Sequence, residues 1–164
     1  MQGYDPSGWH DLFVAVTGAS AALAGLLFVA ISINLRQILD IPVLPTQAAS
    51  ALGALFLALI VSILTLVPGQ SRTVLGAELL VCAMPTWVAT TYRYVRSGRA
   101  DPQSRVAYGS DLALAELAVA PVVGAGVSLI AGAGGGLYWL VPAFVFAFIT
   151  AAVHGWVLLV EIKR

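Results

Sequence analysis

A chain of 164 residues that is 60% hydrophobic and 10% charged, with a mean hydropathy of +0.94, lies outside the range of soluble domains, in which about a quarter of residues are charged. So much of it is apolar that no room is left for a soluble catalytic or nucleic-acid-binding domain, and its formal net charge of zero argues against an electrostatic nucleic-acid partner. The lone cysteine, Cys82, excludes an internal disulfide and a cysteine-based metal cluster, and its place in an apolar segment points to packing.

The expected architecture is one all-α domain over residues 1–164, a polytopic membrane bundle of five transmembrane helices at about 6–37, 47–67, 73–96, 110–130 and 137–162. The opening MQGYDPSGWHD has no Lys or Arg ahead of the first apolar run, so it reads as a retained segment and not as a signal peptide. Asp5 followed by Pro6 is a helix-start signal. The run from Asp11 to Arg36 has no charge between Leu12 and Leu35, more than the roughly 20 residues a crossing needs. Alternating steps of four and three along it pass Asp11, Ala15, Gly18, Ala22, Gly25, Val29, Ser32 and Arg36. Small residues that let backbones approach are the usual packing signature in lipid. The seam Gly18, Ala22, Gly25 and Ser32 therefore predicts that the other helices gather around the first.

Pro42 and Pro45 are expected to end any helix after Arg36, with Thr46 capping a second span that carries a small face of Ala51, Ala54, Ala58, Ser62 and Thr65. Pro68-Gly69-Gln70 turns the chain into a third span holding Glu78 and, near its middle, Pro85. The polar stretch RYVRSGRADPQSRVAYGS reads as a loop. A fourth span then starts near Ser110, places Glu116, Ala120, Gly124 and Ser128 along one face, and contains Pro121. AGAGGG at 131–136 makes a hairpin turn. The fifth span shows Ala147, Thr150, His154 and Glu161 on one face, with Pro142 in its opening turns.

Five spans put Arg36, Arg93, Arg96, Arg99, Arg105, Lys163 and Arg164 on one side and only Arg72 on the other. Basic residues favour the cytoplasm, which predicts an amino terminus outside and a carboxyl terminus inside. Tyr4, Trp9, Tyr138 and Trp139 then mark the outer interface and Tyr92, Tyr94 and Tyr108 the inner one. Trp87, near the centre of the third span, is the exception. Seven Arg against one Lys, with abundant Ala, Gly and Val, suggests a GC-rich bacterial genome and hence a bacterial cytoplasmic membrane.

Ionisable groups inside spans are costly and mark candidate sites. Glu78, Glu116 and His154 are such groups, and Asn34 and Arg93 fall near the depth of Glu116 and His154. These five are the candidates for an ion or proton pathway, since a histidine beside a carboxylate can relay protons. The alternative is a satisfied polar pair that locks two helices together. Glu78 could form a cation-attracting ring in an oligomer, or simply stabilise a helix start, with Arg72 or Thr17 as its partner. Pro85 and Pro121 are candidate helix kinks that could free carbonyls near the midplane. The basic loop could bind anionic lipid, although topology already accounts for it.

No Walker-type loop, HExxH, paired Cys or His spacing, or Ser–His–Asp set occurs, so neither a cofactor nor a catalytic set is indicated. The run GASAALAGLLFVAISINL, the later PGQS turn and the adjoining Gly76 and Glu78 resemble a group of small, functionally uncharacterised bacterial multi-pass membrane proteins. That resemblance covers the first half of the chain and implies no activity or catalytic residues. The functional expectation is a homo-oligomeric channel or transporter for an ion, proton or small solute. The alternative is a non-catalytic accessory subunit that docks the first helix on a larger membrane complex. The bilayer, further copies of the chain and a membrane protein are the partners to expect, and nucleic acid is not.

Overall fold

Backbone groups in hydrocarbon have no water to bond, so an apolar run must close its own hydrogen bonds as a helix. The computed structural model describes residues 2–41, 44–100 and 105–160, and all regular structure among them is helical. Short 3-10 turns at Gln2–Tyr4 and Pro6–Trp9 lead into α1 (His10–Ile33) and the short α2 (Leu35–Asp40). Then come α3 (Leu44–Thr65), α4 (Arg72–Ala100), α5 (Arg105–Ala131), a 3-10 turn at Gly136–Trp139 and α6 (Leu140–Val160). Five segments are long and apolar enough to cross a membrane: Pro6–Ile33, Leu44–Thr65, Arg72–Tyr92, Leu112–Ala131 and Gly136–Val157.

Several boundaries differ from the expected ones, each for a local reason. The first helix stops at Ile33, because Asn34 leaves helical geometry (φ −106°, ψ 16°). Its side-chain Nδ2 and its backbone N–H both donate to the Ala30 carbonyl, at 3.1 and 3.3 Å, a local competition with the helix ladder typical of Asn. α3 starts at Leu44, with Pro45 in its first turn, where a missing N–H costs nothing. Thr46 is therefore inside the helix and is not its cap. At the start of α4 the Ser71 hydroxyl accepts the Val74 amide at 3.3 Å, satisfying one of the exposed donors. The polar stretch expected to form a loop is largely helical, since α4 continues to Ala100 and α5 begins at Arg105. Pro42, the side chains of Arg93, Arg99, Arg105 and Ser110, and residues Glu161 to Arg164 lie outside the described residues.

The organising helix is α3, not α1. α3 packs against α1, α4, α5 and α6, whereas α1 meets chiefly α3 and α6. The small face expected on the second span is the one used: Ala51, Ala54, Ala58, Ser62 and Thr65 are all buried. On α1 the buried stripe is Phe13, Val16, Ser20, Ala24, Leu27 and Ala30. The expected seam of Gly18, Ala22, Gly25 and Ser32 faces outward instead. The buried face carries the larger side chains: Phe13 shares a packed cluster with Ala54 and Ala58 of α3, and Leu27 one with Ala48 and Ala51. Side chains of that size make dispersion contacts that a glycine stripe lacks.

α4 and α5 form the most intimate pair. They cross at Gly76 and Gly126, where a methyl group on either would come within 2.8–2.9 Å of the other's carbonyl oxygen. The bundle core between them and α3 and α6 is apolar, built on Leu75, Leu79, Ala118, Val122, Leu129 and Phe144.

The amino-terminal end of the bundle is tied together by the glycine-rich turn. Gly134, Gly135 and Gly136 all have positive φ, which side-chain-bearing residues rarely adopt. The Gly135 amide donates to the Tyr4 hydroxyl at 3.0 Å, the Gly136 amide to Ser128 Oγ at 2.7 Å, and Trp139 Nε1 to the Gly134 carbonyl at 2.8 Å. Trp9 meets Tyr138 edge-on at 4.7 Å between ring centres. Tyr4, Trp9, Tyr138 and Trp139, expected at one interface, thus lie at one end of the molecule.

Candidate functional site

On α4, residues Met84, Trp87, Val88, Thr91, Tyr92 and Val95 recur at helical spacing and form one wall of a groove of about 680 Å³. Glu116 of α5 supplies the other wall. The Trp87 indole N–H donates to Glu116 Oε2, and the Thr91 hydroxyl donates to Oε1 at 2.8 Å. Trp87 and Thr91 sit one turn apart on α4, so a single helix face delivers both donors to the two oxygens. The carboxyl group is half-buried and the groove opens on the outside of the bundle, where Val88 and Tyr92 are each 62% exposed.

This arrangement fixes the carboxylate's orientation while leaving lone pairs for a guest. A carboxylate has about four acceptor positions, and two are occupied. The groove is shallow and open along the flank, and its lining is mostly apolar with few polar groups, as in small-molecule sites. Sequence reading selected Glu116 but missed Trp87 and Thr91. The available signal was Trp87 itself, a tryptophan far from either interface, because a buried indole N–H normally finds an acceptor.

The other candidates stand elsewhere. Glu78, in the early turns of α4, accepts a hydrogen bond from Gln70 Nε2 and borders a shallow cleft with Leu64, Val74 and Cys82. Neither sequence-expected partner holds it: Thr17 donates to the Phe13 carbonyl at 2.8 Å, and the Arg72 guanidinium lies against Gly132. The rise of an α-helix puts Glu78 about 14–20 Å along α4 from the Trp87–Thr91 pair. His154 is 1% exposed on α6, between Ala151 and Val157, where α6 packs on α1 and α3. Asn34 is buried at the same end of α1 and bonds to its own helix. Of the expected group Asn34, Arg93, Glu116 and His154, Glu116 thus takes both of its donors from α4, and Asn34 and His154 belong to the α1–α3–α6 contact. The Arg93 side chain is outside the described residues.

Pro85 and Pro121 are accommodated within α4 and α5. Pro85 is exposed next to Met84 of the groove, and the Thr86 hydroxyl donates to the Cys82 carbonyl at 3.1 Å. At the amino-terminal end a cleft of about 630 Å³ separates the Pro6–Trp9 turn from the α3–α4 turn, with Asp5, His10, Thr65 and Gln70 among a lining that is otherwise mostly apolar. Asp5 accepts from the Ser7 amide at 2.9 Å and the Ser7 hydroxyl at 2.8 Å. These bonds hold its carboxyl below the ordinary range, the backbone bond contributing most. Among the described residues, no group of three or more His, Cys, Asp or Glu could hold a metal ion.

Among the described residues the fold is therefore all-helical, with five candidate membrane spans and a groove on its flank whose wall carries the Glu116 carboxyl group. Compared with known proteins, the chain matches no family model, no curated protein and no solved structure.

Proposed function

We propose that this is a multi-pass protein of a bacterial cytoplasmic membrane, amino terminus outside and carboxyl terminus inside, acting as a homo-oligomeric channel or transporter. The one-sided distribution of basic residues supports the orientation. The transport reading rests on Glu116: an oriented carboxyl group in the wall of an apolar groove. Ionisable groups inside spans are costly and mark proton or ion pathways, and the two donors from α4 offset part of that cost while leaving the carboxyl group open to the groove. Because the α4–α5 groove opens on the outside of the bundle, the path runs along the flank, between copies of the chain, with that groove as its binding station.

A second reading has its own observation. The α1 stripe of Gly18, Ala22, Gly25 and Ser32 is exposed, with nothing within 4 Å of the Gly18 or Gly25 α-carbon substituent position. Such a stripe suits close approach by another membrane helix, as an accessory subunit requires.

Flux through liposomes carrying the purified protein separates the two, read with a pH-sensitive dye and several salts. Flux lost in Glu116→Gln with the oligomer intact supports the transport reading and assigns its station. Absence of flux at verified incorporation overturns it in favour of the accessory subunit.

A further inference from the structure

We propose that the α4–α5 groove takes an organic cation, a single ammonium-type charge on an aromatic or alkyl body. This deepens, and rests on, the reading of the groove as the protein's working site. Charge complementarity selects the occupant. The acidic side chain of the groove is Glu116, whose two oxygens are held in place by Trp87 and Thr91 and would meet a bound cation. The remaining surface, from Met84 and Val88 to Tyr92, is apolar or aromatic.

An inorganic cation suits this lining badly. Hard ions want several oxygen ligands, and the groove's side-chain oxygens are the Glu116 carboxylate and the Thr91 and Tyr92 hydroxyls, Thr91 already donating to Glu116. A neutral apolar molecule would leave the carboxylate facing it without a countercharge. A cation with an apolar body satisfies both halves of the groove, because its charge meets the carboxylate while aromatic rings attract the cationic centre. Arg96 sets the polarity of binding. Its Nη1 lies 3.4 Å from the Tyr92 hydroxyl, one turn further along α4, so positive charge is disfavoured at that mouth and drawn to the Glu116 end.

The probe is tetraphenylphosphonium, titrated calorimetrically into detergent-solubilised protein, with uncharged tetraphenylsilane as its isostere. Saturable phosphonium binding is expected, weakened on the order of tenfold in Glu116→Gln. Val88→Trp, which fills the groove and keeps the carboxylate, should weaken it comparably. Asp5→Asn, at the opposite end of the bundle, should leave it unchanged. Retained binding in a folded Glu116→Gln or Val88→Trp, or equally tight silane binding, overturns the proposal. Displacement of the probe by a bilayer-resident long-chain amine such as stearylamine identifies the membrane as the source of the cation, and displacement by short water-soluble alkylamines alone identifies a soluble one. Phosphonium binding without any flux sinks the transport reading and leaves this assignment standing. Flux of inorganic cations with no phosphonium binding does the reverse.

Discussion

Gly76 of α4 and Gly126 of α5 face each other so closely that neither position has room for a side chain. The helices touch there backbone to backbone, and this contact sets the separation from which the Glu116 groove opens further along the same pair. Gly76→Leu should lower protomer stability by about 1–3 kcal/mol or more, the usual cost of overpacking. Gly25→Leu, on the exposed stripe of α1, should leave protomer stability unchanged. Denaturation in mixed micelles, followed by helix content, compares the two; equal losses would show that α1 is packed as tightly as α4.

The two donors to Glu116 make a measurable pair of couplings. In a double-mutant cycle between Thr91→Val and Glu116→Leu, which removes the acceptor, the coupling should be about 0.6 kcal/mol and no more than roughly 1.7, the range of interhelical hydrogen bonds in membranes. Trp87→Phe should shift the tryptophan emission envelope by removing an indole bonded to a carboxyl group. Zero coupling at Thr91 would mean that the hydroxyl does not orient the carboxyl group.

Gly136 has φ +59°, and a methyl group there would overlap the Gly3 carbonyl. Gly136→Ala should cost about 1–2 kcal/mol for the left-handed backbone alone, and should free the amino-terminal turn as well. Proteolysis in the first ten residues should accelerate while α3 to α5 stay protected. Unchanged cleavage kinetics would contradict the tie between the two segments.

Asp5 should titrate below a free aspartate, in keeping with its bonds from Ser7. A carboxyl group whose folded value is depressed stabilises the fold above its unfolded value and loses that contribution as pH falls through the folded one. The Pro6–Trp9 turn should therefore loosen only under acid. Ser7→Ala should raise the Asp5 midpoint partway, because the stronger backbone bond survives; carboxyl NMR titration reads both shifts.

Much of the architecture was legible in the amino-acid order, since a hydrocarbon solvent allows an apolar run of this length few structures other than a helix. The five spans, the small face of α3 from Ala51 to Thr65, and the end-grouping of Tyr4, Trp9, Tyr138 and Trp139 all follow from composition and period. Which face of α1 is buried did not follow. Its small stripe and its Phe13–Ala30 stripe are both apolar, and without a hydrophobic drive between helices only the shape of the neighbour chooses. The partners of Glu116 were equally hidden: Trp87 and Thr91 lie 29 and 25 residues away, and only the crossing at Gly76 and Gly126 brings α4 and α5 into the register that joins them. Local sequence thus determined what each segment is. Tertiary packing, through close-range dispersion and two side-chain hydrogen bonds, decided which helix is central and where the Glu116 carboxyl group looks out.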